Sequence, residues 1–142
     1  MGDGDTLTLL DSERRQHKVR LSGIDAPERR QPYGERSKQH LAALAQDKSV
    51  MVVWSKHDRY GRIVGRVMLP QCASSECPYT TDLGLEQLKA GLAWHYKHYA
   101  KDQPLAERVR YAWIEQQARA KREGLWKQAE PVPPWQFRKP LA

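Results

Sequence analysis

The chain changes its hydrophobic period several times over a short length, and this limits the folds open to it more than any other feature. Leu7 to Leu10 is a brief apolar run of strand formers. Asp11 to His17 interrupts it with a polar break before Lys18 to Ile24 resumes alternation, so the two runs read as a hairpin. From Gly34 to Gln46 the period becomes helical, with Ser37, Leu41, Leu44 and Ala45 on one face and Glu35, Lys38 and Gln39 pointing outward. Val50 to Trp54 and Ile63 to Leu69 return to β-branched and aromatic residues on either side of a turn signal at Asp58 to Gly61. A second helix is expected from a cap at Asp82 to Gly91, with Leu85 and Leu88 facing the core. A third begins behind Pro104 and runs through Leu105, Val109, Ala112 and Gln116 towards Gly124. Pro131, Pro133 and Pro134 then end regular structure, leaving Trp135 and Phe137 to pack back on the body.

That pattern predicts a mainly β fold with attached helices. A five-stranded barrel asks for one strand more than the roughly four that are legible. The shortage falls at the start, because almost nothing precedes the Asp3-Gly4-Asp5 turn. The first strand is therefore expected to be missing or truncated, its place left open or filled by another chain through strand exchange or dimerisation. At 142 residues, one domain spanning 1–142 is expected, with the Pro- and Trp-rich segment 127–142 packed on it.

A formal charge of +7 and a pI near 9.6 favour a polyanionic partner, and also fit a basic soluble protein. The sequence contains no stretch of 18 apolar residues, and Met1 is followed by Gly2, Asp3 and Gly4, so neither a membrane span nor a secretory signal is expected in it. Cys72 and Cys77 lie in a polar segment, where a disulfide closing a small loop and a pair of reduced thiols both remain open. Two thiolates alone do not make a closed structural zinc site.

The residues that carry chemistry are spaced charges: Asp3, Asp5, Arg20, Asp25, Glu28 and Arg62. Carboxylate oxygens suit a hard cation, and guanidinium forks suit phosphate. Arg20, Ser22 and Ile24 alternate on one face of an extended strand, and Asp25 and Glu28 project beyond its end with Pro27 restricting the backbone between them. Such acids, taken singly, commonly do no more than solubilise a turn. Together they call for a bridging cation, since three converging carboxylates otherwise repel a phosphate.

In order along the chain, Asp-Gly-Asp-Thr at 3–6, Arg-Leu-Ser-Gly-Ile-Asp-Ala-Pro-Glu at 20–28, Gln-Pro-Tyr-Gly at 31–34, Asp-Arg-Tyr-Gly-Arg at 58–62 and Gly-Leu-Ala at 91–93 resemble the staphylococcal nuclease, or thermonuclease, family. The resemblance runs from Asp3 to at least Trp126. It implies an OB-fold barrel with attached helices and calcium-dependent hydrolysis of DNA and RNA to products bearing 3′-phosphates. By the same resemblance, Asp5 and Asp25 hold calcium with the backbone carbonyl of Ala26. Glu28 activates water, and Arg20 and Arg62 grip the phosphate. The position matching Ala26 is threonine in the best-known members, so the hydroxyl is lost here while the carbonyl is kept.

Tyr60, Tyr96 and Tyr99 are the expected nucleotide contacts, beside a basic and aromatic run of Trp94, His95, Lys97 and His98 suited to flexible single strands. Packing is the expected role of Trp94, and anchoring of the C-terminal segment that of Trp113, Trp126 and Trp135. His95 and His98 read as polar surface positions, and Arg108, Arg110, Arg119, Lys121 and Arg122 as a solvated basic face. Asp3 is assigned to support of Asp5 or of the turn. The competing function is a noncatalytic OB-fold domain that binds single-stranded nucleic acid. A monomer is expected, in a secreted or periplasmic location.

Overall fold

In the computed structural model, residues 3–97 and 102–139 are described. The expected hairpin forms as β1 (Thr6–Leu10) and β2 (Gln16–Leu21), antiparallel with Thr6 opposite Arg20 and Leu10 opposite Gln16. The second pair is β4 (Met51–His57) and β5 (Ile63–Pro70), antiparallel, with a register irregularity between Trp54 and Lys56. β2 joins β5 in parallel, aligning Arg20 with Val64. The strand order is β1-β2-β5-β4, with β6 (Tyr79–Asp82) also pairing with β5, which makes a five-stranded sheet. The sequence reading missed β6, which lies after the second pair; among the described residues no strand precedes the Asp3-Gly4-Asp5 turn, as expected. Among the described residues β1 pairs only with β2 and shares no ladder with β4, so the ring is not closed. Two-residue strands β3 (Ile24–Asp25) and β7 (Trp94–His95) form a separate antiparallel pair.

Helices α1 (Gly34–Ala45), α2 (Leu83–Lys89) and α3 (Leu105–Ala120) follow the predicted segments, and α4 (Pro134–Phe137) is a short turn of helix in the tail. Asp82 caps α2 as expected, accepting from the amides of Gly84 at 2.8 Å and Leu85 at 3.3 Å. Its other oxygen accepts from the buried Tyr111 hydroxyl at 2.7 Å, which ties α3 to the start of α2. α3 ends at Ala120, and Gly124–Lys127 forms a separate 3₁₀ turn, bonded back to Gly91 through the Leu125 amide at 2.8 Å. The core gathers Val19, Leu21, Ile24, Leu41, Val67, Leu83 and Leu88 between sheet and helices. A second cluster packs Trp94 against Trp126, Ala118 and Leu125, with Trp135 of the tail at its margin.

Several side chains differ from expectation because α3 turns another face inward. Tyr111, Glu115 and Ala118 are its buried residues, whereas Leu105, Val109 and Trp113 are exposed, so Trp113 faces solvent where an anchor was expected. Arg119, expected on a solvated face, lies over the Trp126 ring at 4.2 Å and pairs with Glu115 at 3.3 Å. His95 is buried and not at the surface, its Nε2 2.9 Å from Gln103 Oε1 and its amide donating to Glu115 at 2.7 Å. Cys72 and Cys77 are joined as a disulfide in the loop between β5 and β6.

Candidate active site

The Asp3-Gly4-Asp5 turn is held from below by a buried polar network. Gln87 donates through Nε2 to the Gly4 carbonyl at 2.7 Å and to the Ser37 carbonyl at 2.9 Å, while the Ser37 hydroxyl donates to the Leu92 carbonyl at 2.6 Å. A Cβ at position 4 would overlap Ser37, so only glycine lets the turn sit this low on α1 and α2. The Asp5 carbonyl accepts from the Leu21 amide at 2.8 Å, which fixes the turn to the end of β2. The consequence is a buried Asp5 carboxylate, with Oδ1 accepting from the Thr6 hydroxyl at 3.0 Å and Oδ2 from the Ala26 amide at 2.9 Å.

Asp25 arrives by the β3 pairing, opposite Trp94, and its side chain is 1% exposed. Arg20 is locked beside it. Nη1 of Arg20 donates to the carbonyls of Leu21 at 2.7 Å and Ile24 at 2.9 Å, which leaves Nη2 at 3.7 Å from Asp5 Oδ2 and 3.6 Å from Asp25 Oδ1. One cationic nitrogen thus already bridges the two carboxylates assigned to the metal. Glu28 joins the same cluster through a residue the sequence reading left out. Arg138 of the tail donates from Nη1 to Asp25 Oδ1 at 3.1 Å and Glu28 Oε2 at 3.0 Å, and from Nη2 to Asp25 Oδ2 at 2.7 Å. No spacing signal could reveal a partner 113 residues away from Asp25.

Burial is the main influence on these acids. It pushes the Asp25 carboxyl up, with the Asp5 charge adding to it and the Arg138 hydrogen bonds and the Arg20 charge opposing it. Burial also lifts Asp3, and the neighbouring Glu28 and Asp5 charges carry it up to about 6. Asp3 therefore belongs electrostatically to the cluster and is more than a turn former.

Arg62 stands in a different setting. The Asp58 to Gly61 turn connects β4 and β5, and Asp58 Oδ1 accepts the amides of Tyr60 and Arg62, each at 2.9 Å, while Oδ2 accepts Arg62 Nε at 2.6 Å. Tyr60 is 70% exposed, with the Arg59 and Arg62 guanidinium carbons 5.0 Å and 5.6 Å from its ring centre. A cavity of about 670 Å³ brings Arg20, Tyr60, Arg62 and Tyr96 into one lining. None of Asp5, Asp25 and Glu28 lines it, so Arg20 is the residue common to cavity and acid cluster. Tyr96 is stacked on Trp135, ring centres 5.3 Å apart and planes 12° apart. Tyr99 and His98 lie outside the described residues.

The donors the cluster offers a cation are carboxylate oxygens, which suit a hard divalent ion, though Arg20, Arg138 and the Ala26 amide also face them. Among the described residues no three His, Cys, Asp or Glu side chains converge into an ion cage, so backbone and water oxygens would have to complete the shell. Ala26 meets Asp5 through its amide.

The model of the family described as staphylococcal nuclease homologue matches residues 18–128. The chain belongs to this family. Its five-stranded sheet with attached helices agrees with the OB-type barrel expected of such nucleases. Among similar proteins is an uncharacterized endonuclease of Escherichia coli, 38% identical over 136 residues, covering 96% of this chain and 79% of that one. A micrococcal nuclease of Shigella flexneri is 36% identical over 137 residues, covering 96% and 76%. The staphylococcal-like nuclease CAN1 of Arabidopsis thaliana is 38% identical over 125 residues, which is 88% of this chain and 34% of that protein. Asp3, Asp5 and Arg138 lie outside the stretch that the nuclease family model matches, whereas Arg20, Asp25, Glu28 and Arg62 lie within it.

Proposed function

We propose that this nuclease homologue hydrolyses phosphodiester bonds of DNA and RNA in a calcium-dependent reaction that leaves 3′-phosphates. The observation that carries the reading is the position of Arg20 Nη2, within 3.7 Å of both buried aspartates and on the wall of the cavity shared with Arg62. Asp5, Asp25 and the Ala26 carbonyl would hold the ion. Bound calcium would polarise a phosphate oxygen and keep water near it, while acidifying that water less than a transition metal does.

Glu28 sits at the open side of the cluster, 28% exposed, where a carboxylate can orient a water or take its proton. Arg20 and Arg62 donate to the phosphate oxygens and oppose the charge that grows as the centre becomes five-coordinate. Their effect on rate comes from donors that align better with that geometry than with the ground state. The 5′ oxygen leaves in line with the attacking water. Tyr60, Tyr96 and Tyr99 contact the nucleotide, and contacts to rings and backbone favour flexible strands over base-specific reading. The protein acts as a monomer in a secreted or periplasmic setting, in keeping with its disulfide.

The test is cleavage of denatured DNA and of RNA in Ca²⁺ and in chelator by the parent, Glu28→Gln and Arg62→Ala proteins. Cleavage that requires Ca²⁺, with each variant slowed by about 10²-fold or more while still folded, is expected. Near-parental rates in both variants reject the residue roles, and binding without turnover by the parent favours the noncatalytic domain.

A further inference from the structure

The tail does more than cover the second core. Three contacts seat it along the acid end of the site. Gln31 Nε2 donates to the Val132 carbonyl at 2.9 Å, Trp135 stacks on Tyr96 and meets Trp94 edge-on at 5.4 Å, and Arg138 forks onto Asp25 and Glu28. The last two contacts fall on residues to which the nuclease reading gives work. Trp135 takes a face of a nucleotide-contacting tyrosine, and Arg138 takes both oxygens of a metal-binding aspartate together with the water-orienting glutamate.

Asp25 is 1% exposed, so as an ionised group it needs a positive partner close by. Arg138 supplies one bidentately, the strongest form of such a pair. A divalent ion bound to the same carboxylate would lie within a few ångströms of the guanidinium, and two cations at that distance in a buried setting repel strongly. The two therefore compete for Asp25.

We propose that residues 131–139 form a strap that closes the site with its own cation, Arg138, and that a divalent ion must displace this arginine before nucleic acid reaches Tyr96. The proposal rests on the nuclease reading for the place of the ion. It gives that site a regulation: at low Ca²⁺ the chain occupies its own ion and nucleotide positions, and Ca²⁺ opens both.

The test measures the strap without reference to turnover. Calcium chloride is titrated calorimetrically into parent and Arg138→Gln proteins. In parallel, tryptic cleavage after Arg138 is followed by mass spectrometry for the parent in Ca²⁺, the parent in chelator, and Asp25→Asn and Glu28→Gln in chelator. Arg138→Gln is expected to bind Ca²⁺ about tenfold more tightly, as follows when the competent state of the parent is populated to about one part in ten. Ca²⁺ should speed cleavage after Arg138 several-fold in the parent, and the acid variants should reach that faster rate without it. Glu28→Gln keeps the test readable if Asp25→Asn does not fold.

Equal or weaker Ca²⁺ binding by Arg138→Gln overturns the strap, as does cleavage indifferent to both Ca²⁺ and the acid variants. If neither protein binds Ca²⁺ but the acid variants free Arg138, the calcium reading fails and the clasp on the acids stands.

Discussion

Asp25 and Asp58 are both aspartates paired with an arginine, yet the two pairs are built in opposite ways. Asp25 is buried to 1% exposure and takes its arginine from the far end of the chain, with Arg20 at 3.6 Å on its other side. Asp58 is 18% exposed and takes Arg62 from four residues on, within a turn that also satisfies the same carboxylate with two backbone amides. The first arrangement exists only when β2, β3 and the tail are all in place. The second is a property of one turn. On the proposed reading, a site made from both has an acid end whose chemistry and stability are inseparable, and an arginine end whose proposed hold on phosphate can change without loss of the fold.

The largest effect expected from this contrast is in Asp25→Ala. Removing the carboxylate takes a partner from the largely buried Arg20 and leaves the more exposed Arg138 with Glu28 alone, at a cost of about 3 kcal/mol in urea denaturation. Asp58→Ala leaves Arg62 at the mouth of an exposed turn, 30% open to water that can solvate it, and should cost less than about 1 kcal/mol. Equal losses would break the comparison. The next effect is kinetic. Arg62→Ala should lower kcat by about 10²–10³-fold while shifting the urea midpoint by less than about 1 kcal/mol of stability. A large stability loss in that variant would show that the turn is not autonomous.

Much of this architecture was legible in the sequence because periodicity is a local property. Leu7–Leu10, Ile63–Leu69 and the Asp82 cap appear where the pattern put them, each set by residues within one element. The fifth strand escaped because Tyr79–Asp82 is too short to show alternation, and it becomes a strand only through pairing with β5. The β3 and β7 pair is shorter still, and nothing local specifies that Asp25 stands opposite Trp94. At the site, Asp5, Arg20, Asp25 and Glu28 could be named from their spacing, and the structure gathers them at the end of β2. Arg138 could not, because a single arginine in a proline-rich tail carries no pattern. The burial of His95 and the packing of Arg119 on aromatic rings were hidden for a related reason: Gln103 and the Trp94 and Trp126 rings that receive them come from separate segments.

The smallest effects sharpen the comparison through pH. At the acid end, Asp3 is pushed up to about 6 by burial and by the Glu28 and Asp5 charges. Its folded form holds the proton more tightly than the unfolded chain does, so its contribution to stability falls as pH rises from about 4 to 6 and stays lower above that. Burial pushes Asp58 up as well, but the amide and guanidinium bonds from Arg62 and the Tyr60 amide outweigh it and hold the carboxyl below the usual range. Its contribution is therefore present above the ordinary carboxylate value and is lost as pH falls through the lowered one. Asn substitutions should then act with opposite sign in chelator. Asp3→Asn raises stability at pH 7.5 by about 1 kcal/mol, water screening much of the crowding at this half-exposed group, and the gain disappears below about pH 4. Asp58→Asn lowers stability at pH 7.5 by a smaller amount, and its deficit disappears only in stronger acid. Urea midpoints across pH 3 to 8 test both at once. If the two variants shift stability in the same direction at pH 7.5, like-charge crowding does not distinguish the acid end from the arginine turn.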